Sequence, residues 1–261
     1  MKKPTVSVLM TIFNHQEYLK RSIKSIQIQT FNNWELIAID NGSTDNSTKI
    51  LKSIKESRIK KIFLKKNIGR TKCLNLGLKL SKGKFIAILD SDDIAMKGRL
   101  KEQIKYFTKF KKTWLLASNY KFIDEKNKIS IKKNVYKKLK NNRKILFENH
   151  IAHSTVMFKR DLLKKIGIYP KEYTYAQDYA FYLKIYKKYK IDILNKYLVD
   201  IRINHKDSET FRSARSKLVL KEEFNLLIWR IRNFKYSIIE YTIFIFKILK
   251  NILKIFIYRI F

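Results

Sequence analysis

The sequence predicts an α/β protein with a doubly wound, mostly parallel sheet and a C-terminal amphipathic helical extension. Two observations predict this class. Strand-like apolar runs alternate with helix-like segments at short spacing from residue 5 to about 108, which is the pattern of parallel strands joined by helices. Beyond about Lys217 the composition changes to Ile, Leu, Phe, Tyr and basic residues almost alone, which indicates a separate helical segment.

Four short runs rich in apolar and β-branched residues predict the strands of the first half, and the first, second and fourth are typical of strands buried on both faces. The runs are TVSVLMTIF (5–13), NWELIAID (33–40), IKKIFL (59–64) and KFIAILD (84–90). The segments between them carry apolar residues at helical spacing and predict helices over 14–30, from Asn46 onward, and from Gly69 to about Gly83. The Ser and Thr residues of NGSTDNS (41–47) are suited to capping the second helix.

Residues 110 to 210 follow a less regular pattern. Strands are predicted at WLLAS (114–118), STVMF (154–158) and LVDIRINHKDS (198–208), and a helix at YAQDYAFYLKIYKKY (175–189). We therefore expect one domain over residues 1–215, divided into two halves at about residue 110, and a basic, aromatic tail over 216–261.

The tail predicts either membrane binding or packing against protein. From Phe224 onward it reads FNLLIWRIRNFKYSIIEYTIFIFKILKNILKIFIYRIF, with basic residues on one face of one or two helices and Phe, Ile and Trp opposite. Such amphipathicity is typical of a helix that lies in the plane of a membrane surface. The alternative is an apolar face that packs on the domain or on a second subunit. Neither a signal peptide nor an apolar run of about 20 residues is present, so a spanning helix is not expected.

The charge of the chain is strongly positive. It carries 58 Lys and Arg against 22 Asp and Glu, for a formal net charge of +36. This balance indicates a polyanionic partner, whether nucleic acid, an anionic membrane surface or the phosphates of a substrate. Part of the Lys excess is also consistent with genome base composition. The single cysteine, Cys73, excludes an internal disulfide.

Three of the scarce carboxylates follow directly on the fourth strand, at Asp90, Asp92 and Asp93. Carboxylates crowded at the end of a buried strand repel one another. A divalent cation that prefers oxygen ligands, Mn²⁺ or Mg²⁺, would balance their charge. Because residues two apart share one side of an extended chain, Asp90 and Asp92 are expected to face the same crevice. The alternative is that Ser91 and Asp93 cap the following helix.

Other polar residues are expected in the same crevice. Ligands of such a sheet bind at the carboxyl ends of its strands, where Asn14 and Asp40 follow or end the first two strands. The segment NIGRTK (67–72) adds basic residues before and within the first turn of a helix, and helix N-termini attract phosphate. The sequence therefore predicts a crevice that binds a phosphate-bearing ligand together with a metal ion.

The order of these motifs carries a family resemblance. The series VSVLMTIFN…EYL…SI…QT…ELIAIDNGSTD…NIG…LNLGL…KGKFIAILDSDD…RL closely resembles the inverting GT-A-fold glycosyltransferases of family two. The match covers residues 5 to about 110 in a single register. It continues more weakly through HSTVMFKRDLLKKIGIYP, AQDYAFYLKI and RINHKDS.

The resemblance implies roles for individual residues. The donor, a nucleoside-diphosphate sugar, would be bound by Thr11, Phe13, Asp40, Asn67, Gly69, Lys72, Asp90 and Ser91. The metal, Mn²⁺ or Mg²⁺, would be bound by Asp92, Asp90 and a late histidine, His205. Asp178, within Gln177-Asp178-Tyr179, would be the base that removes the proton of the attacking acceptor hydroxyl. The sequence departs from the family at Thr11, Asn41 and Gln177, where proline, a second Asp and Glu are usual.

Together these features predict an inverting glycosyltransferase of the hexosyl or N-acetylhexosaminyl type, with residues 1–110 as its nucleotide-binding half and 111–215 as its acceptor-side half. The family resemblance implies a UDP-sugar as the donor, and the expected acceptor is a glycan or lipid-linked acceptor of surface polysaccharide or lipooligosaccharide synthesis. The expected location is cytoplasmic, peripheral at the inner face of the cell membrane, with the tail on anionic lipid.

Two other classes of protein fit the sequence less well. A nucleic-acid-binding protein is disfavoured because the basic residues are spread throughout the chain and the aspartates would repel phosphate without a metal. An inactive membrane-surface scaffold is disfavoured because Asp40, Asp90, Asp92 and Asp178 are all retained.

Overall fold

The computed structural model describes residues 3–139, 142–203, 217–246 and 249. The strands are β1 (Val6–Ile12), β2 (Trp34–Asp40), β3 (Ile59–Phe63), β4 (Phe85–Ile88), β5 (Ile94–Ala95), β6 (Thr113–Ile123), β7 (Ile129–Lys133), β8 (Met157–Lys159) and β9 (Lys190–Arg202). The helices are α1 (Leu19–Gln27), α2 (Ser47–Ser53), α3 (Arg70–Leu80), α4 (Arg99–Lys109), α5 (Val135–Lys138), α6 (Leu162–Ile166), α7 (Gln177–Tyr186) and α8 (Lys217–Asn233), with 3₁₀ turns at Asn142–Leu146 and His153–Thr155.

Within the described residues, the strands form one nine-stranded sheet in the order β3-β2-β1-β4-β8-β6-β9-β5, and β7 pairs with β6 beside it. β3, β2, β1 and β4 are parallel, as the alternation of strands and helices predicts. β8 runs antiparallel between β4 and β6, whereas β6 and β9 are parallel. The predicted α/β class is therefore confirmed, with mixed pairing in the second half of the sheet.

Helices cover both faces of the sheet, and the side chains of β1 alternate between the two layers. Val8 and Met10 pack in one buried cluster with residues of α1 and α4. Leu9 packs in the other cluster with residues of α3 and α7. Cys73 of α3 belongs to this second cluster, and desolvation raises the pKa of its thiol to about 12.

The second half differs from its sequence prediction in three places. The segment predicted as a strand at 154–158 is partly a 3₁₀ turn, and β8 begins only at Met157. The late strand begins at Lys190 rather than at residue 198, because it pairs with β6 along its length. β7 has no counterpart in the prediction, and neither has the two-residue β5 of the first half.

The tail has two different parts. α8 packs on the domain, with Leu226 among its buried side chains. Residues 238–246 are again helical; Phe244 is buried, but Ile238 is 86% exposed and Phe246 is 76% exposed. The alternative of packing on the domain therefore applies to α8, whereas the second part presents apolar side chains to solvent. Of the helices in the described ranges, none has the length and apolarity needed to cross a bilayer.

Candidate active site

A cavity of about 350 Å³ opens at the carboxyl ends of β1, β2 and β4. The predicted donor and metal residues that line it are Thr11, Phe13, Asn67, Gly69, Asp90, Ser91 and Asp92. They come from the end of β1, the loop before α3 and the segment after β4, which the parallel strands bring to one edge of the sheet. Among the described residues, Asp40, Lys72 and Asp178 do not line this cavity, and His205 lies outside the described ranges.

Asn14 and Asp40 bind the loop that follows β2. The Oδ1 atom of Asn14 accepts a hydrogen bond from the backbone N–H of Thr44 (2.8 Å). Asp40 is buried, and its carboxylate accepts hydrogen bonds from the backbone N–H of Ser43 (3.0 Å) and from the hydroxyl of Thr48. Both side chains were expected in the crevice, and both instead hold the backbone beside it.

Asn41 and Asn67 shape the loop before α3. Asn41 donates from Nδ2 to Asn67 Oδ1 (3.0 Å) and accepts at Oδ1 from the N–H of Ile68 (3.0 Å). A carboxylate at position 41 has no proton to donate to Asn67, so asparagine suits this contact. Gly42 lies against the same loop with φ at 73°, and a Cβ there would be only 2.5 Å from the carbonyl carbon of Lys66. Glycine is therefore required where the two loops meet.

Asp90 is paired with Arg70, from the first turn of α3. Arg70 Nη2 lies 2.6 Å from Asp90 Oδ1 and 3.1 Å from His153 Nδ1. The other ring nitrogen of His153, Nε2, lies 2.9 Å from the hydroxyl of Tyr169. Burial alone would raise the pKa of Asp90, but Arg70 and His153 together outweigh it and hold that pKa well below its usual range.

The other two aspartates of the cluster have different surroundings. Asp93 is buried, and its Oδ1 accepts a hydrogen bond from the backbone N–H of Arg202 (2.9 Å). Desolvation, followed by the charges of Asp92 and Asp90, raises the pKa of Asp93 well above its usual value. Asp93 therefore joins β9 to the segment after β4. Asp92 lines the cavity.

The carboxylates fit a hard cation only in part. Carboxylate oxygens are suitable ligands for Mn²⁺ or Mg²⁺, and Asp92 and Asp90 supply them at one wall of the cavity. In the ranges that the structure describes, no group of three His, Cys, Asp or Glu side chains could hold a metal by itself. A cation here would need oxygens from a ligand such as a diphosphate, which is a usual arrangement for Mg²⁺.

Arg202 is a cavity residue that the sequence prediction missed. It is the last residue of β9, and its Nε donates to the backbone oxygen of Asp92 (3.2 Å). Its Nη1 donates to the backbone oxygen of Asp124, its Nη2 donates to Asn127 Oδ1 (2.5 Å), and its guanidinium lies 4.4 Å from the centre of the Tyr18 ring. Arg202 could have been predicted, because it ends a strand of the sheet and ligands of such sheets bind at the carboxyl ends of the strands.

Asp178 lies in the first turn of α7, and it is half-buried. Its carboxylate accepts hydrogen bonds from Asn149 Nδ2 (3.2 Å) and from the N–H of Tyr179 (2.6 Å). Desolvation raises the pKa of Asp178, and the nearby His153 and Arg70 oppose that rise. The same two residues contact Asp90, so one pair of side chains lowers the pKa values of both carboxyl groups.

A second cavity, of about 190 Å³, is lined in part by Asn149, whose Nδ2 donates to the Asp178 carboxylate. Its aromatic walls are Tyr120 and Phe122, whose ring centroids are 5.3 Å apart. The polar residues that line it are Lys133, Asn134, Lys138, Glu148, Asn149 and His150. Aromatic faces next to cationic and amide groups are suited to a sugar ring that carries an anionic group.

The family model described as "Glycosyl transferase family 2" matches residues 7–167 of the chain. A glycosyltransferase of Methanocaldococcus jannaschii is 36% identical over 97% of this chain and 94% of its own length. The Escherichia coli enzyme WfgD, named as a UDP-Glc:alpha-D-GlcNAc-diphosphoundecaprenol beta-1,3-glucosyltransferase, is 33% identical over 73% of each chain.

Solved structures have the same fold. TarS 1–349 of S. aureus in complex with UDP-GlcNAc aligns with a TM-score of 0.73 at 23% identity, over 89% of this chain and 68% of that one. The mannosyltransferase PcManGT of Pyrobaculum calidifontis, in complex with GDP-Man and Mn²⁺, aligns with a TM-score of 0.68 at 15% identity, over 91% of this chain and 67% of that one. Identities this low bear on the fold alone.

Proposed function

The chain belongs to glycosyl transferase family 2, and on this basis we propose that it transfers a sugar, with inversion, from a UDP-sugar to a hydroxyl of a glycan or lipid-linked acceptor. The observation that carries the proposal is the cavity in which Thr11, Asn67, Asp90 and Asp92 converge from separate segments. The related E. coli enzyme, named for a UDP-Glc donor and a diphosphoundecaprenol-linked acceptor, supports both substrate classes and a role in polysaccharide synthesis.

Donor binding is assigned to the first cavity. Thr11 and Phe13 would contact the base, largely through backbone atoms, and Asp40 would act by holding the backbone beside them. Asn67 and Gly69 would contact the nucleoside from the opposite loop. The remaining donor-binding residues of the proposal are Lys72, Asp90 and Ser91. Arg202 adds a cationic group to the same cavity, which suits the charge of a diphosphate.

The metal is assigned to Asp92 first. Asp92 and Asp90 both bring carboxylate oxygens to the cavity, and the Asp90 carboxylate is shared with Arg70 at 2.6 Å. His205 remains a third proposed ligand. When bound, Mn²⁺ or Mg²⁺ would offset the negative charge that develops on the departing diphosphate.

Asp178 is the proposed base, and the second cavity is the proposed acceptor site. An acceptor sugar against Tyr120 and Phe122 would lie next to Asn149, which holds the Asp178 carboxylate. Asp178 would take the proton of the acceptor hydroxyl as that oxygen attacks the anomeric carbon from the face opposite the diphosphate. The raised pKa of Asp178 makes its ionised form a stronger base than an ordinary carboxylate.

Membrane association is assigned to the second part of the tail. The apolar side chains exposed there are Ile238, Ile239, Ile243, Ile245, Phe246 and Leu249. Insertion of such side chains into the interface of an anionic bilayer, with the basic residues of the tail at the headgroups, would hold the enzyme at the inner face of the cell membrane. A lipid-linked acceptor would then be concentrated near the site.

A donor screen tests the proposal. Purified protein is heated with UDP-Glc, UDP-GlcNAc or GDP-Man, each with and without Mn²⁺, and the melting temperature is recorded. We expect a metal-dependent rise with at least one UDP-sugar, because a ligand that binds only the native state stabilises it. No rise with any donor, in either metal condition, would count against the transferase site. A rise with GDP-Man alone would replace the uridine assignment.

A further inference from the structure

Glu222 of α8 binds a loop of the proposed transferase site. The side chain is buried, with 2% of its surface exposed. Its Oε1 accepts a hydrogen bond from the N–H of Thr174 (2.6 Å), and its Oε2 accepts from the N–H groups of Tyr175 and Ala176 (both 2.9 Å). Successive N–H groups that converge in this way form a concave site for a negative charge. One carboxylate from the tail thus binds three consecutive residues of the loop.

The bound loop has two connections to the chemistry. Thr174 and Tyr175 line the proposed donor cavity. Ala176 is the N-cap residue of α7, and Asp178 lies in the first turn of that helix. The position of the Glu222 carboxylate therefore affects both a wall of the donor cavity and the start of the helix that carries the proposed base.

α8 contacts the same region a second time, two turns further on. Arg230 is buried and donates from Nη1 to the backbone oxygen of Leu146 (2.8 Å) and to the hydroxyl of Tyr179 (2.7 Å). That hydroxyl donates in turn to the backbone oxygen of Ile145 (2.8 Å). Tyr179 follows Asp178 in the chain, so α8 holds the first turn of α7 from two sides.

We propose that Glu222 is a positioning residue for the transferase reaction, which orders residues 174–176 and so completes the donor site from the C-terminal helix. This inference rests on the proposed function. A helix that only packs on the domain needs apolar contacts, and α8 has these in Leu220, Leu226 and Leu227. A buried carboxylate that bonds to three N–H groups of one active-site loop adds a specific orientation, since these bonds depend on direction as well as distance.

The test compares Glu222→Gln with Glu223→Gln. The first variant keeps the size of the side chain but replaces one acceptor oxygen with an NH₂ group that faces N–H donors. The second makes the same charge change at the adjacent residue, which is exposed. Hydrogen exchange at the amides of residues 174–176 measures how well ordered the loop is. Titration with UDP in the presence of Mn²⁺, and with GDP in a second series, measures the affinity of the donor site for each nucleotide.

We expect the amides of residues 174–176 to exchange faster in Glu222→Gln than in the wild type, and at the wild-type rate in Glu223→Gln. If the ordered loop falls to a tenth of the population, the Kd for UDP rises about tenfold. In turnover, the KM for the donor should rise more than kcat falls, which a general loss of folded protein would not produce. Glu222→Asp keeps the charge but shortens the reach, so its exchange and Kd should lie between those of wild type and Glu222→Gln.

Two results would overturn the inference. One is that the amides of residues 174–176 exchange at the wild-type rate in both Glu222 variants. The other is that Glu222→Gln exchanges faster at these amides but binds UDP with wild-type affinity. The melting temperature of each variant shows whether it still folds. If Glu222→Gln does not fold, the exchange and the Kd of Glu222→Asp are compared with those of the wild type instead. If the wild-type protein binds neither nucleotide, the proposed function fails by itself. The exchange data then still decide whether Glu222 orders the loop.

Discussion

Replacing Asp178 with asparagine tests the proposed base with almost no change in shape. The carboxylate accepts one hydrogen bond from Asn149 and one from the N–H of Tyr179. An asparagine keeps one acceptor oxygen, and its NH₂ group faces the other donor. The unfavourable contact should cost about 1–3 kcal/mol of folding free energy. Removal of a general base should lower kcat by about 10²–10⁴-fold, which is a far larger effect.

The assay for Asp178→Asn measures UDP release at saturating donor, together with donor affinity by titration. Affinity should stay near wild type, because Asp178 does not line the donor cavity. Asp161→Asn, at an exposed position next to α6, is the matched control and should turn over normally. A variant at position 178 that keeps more than about a tenth of the wild-type kcat would refute the assignment of the base.

The pH dependence of the wild-type enzyme gives a second test of the same residue. Desolvation raises the pKa of Asp178 above its ordinary value. The ionised form is the base, so activity should be complete above this raised pKa and should fall as the pH drops through it. The acidic limb of the kcat profile should therefore lie at a higher pH than an ordinary aspartate would give. A limb at or below the ordinary value would contradict the burial argument.

Asp92→Ala should abolish the Mn²⁺-dependent part of the donor-induced rise in melting temperature, because it removes the proposed metal carboxylate. Gly42→Ala should lower the free energy of unfolding in urea by about 1–3 kcal/mol or more, since its φ is 73° and its Cβ would lie 2.5 Å from the carbonyl carbon of Lys66. Replacing Ile238 and Phe246 together with serine should weaken binding to anionic liposomes at least about tenfold in a pelleting assay, because each buried apolar side chain contributes about 1.5–3 kcal/mol.

Each of these changes has a matched control. Asp161→Ala should keep the metal-dependent rise, and an equal rise in Asp92→Ala would remove the metal assignment. Gly98→Ala places a Cβ in open space at a φ of −93°, so it should change stability little, and equal costs at both glycines would refute the steric argument. Ile129→Ser removes an exposed apolar side chain on β7 and should not affect pelleting. Undiminished pelleting of the tail variant would exclude that surface as the membrane contact.

The first half of the fold could be predicted because its local signals agree. The runs of β1, β2 and β4 are largely buried on both faces, whereas β3 at the edge of the sheet is only partly buried, and turn residues separate each run from the next helix. Parallel strands end at one edge, so Thr11, Asn67, Asp90 and Asp92 could be expected in one cavity before any contact was known. Asp40 lies in the same region, but the sequence did not indicate that its side chain turns toward Ser43 and Thr48.

The second half depends on long-range contacts that leave weak local patterns. On β7 the side chains of Ile129 and Ile131 are exposed, so this strand has no buried side to detect. In the first half, β5 is only two residues long, too short to form a recognisable run. Thr174 and Tyr175 enter the cavity wall because Glu222, more than forty residues later in the chain, binds their N–H groups. No spacing within the loop itself indicates such a partner.

The burial of Cys73 has a practical consequence for studying this enzyme. It is the single sulfhydryl of the chain, and with a pKa of about 12 only about one in 10⁵ copies is a thiolate at neutral pH. Alkylating dyes therefore have no reactive native target. A cysteine introduced at the exposed position of Phe246 would take up one fluorophore per molecule while the wild-type core stays intact. Emission from that fluorophore would follow the arrival of the tail at a vesicle in real time.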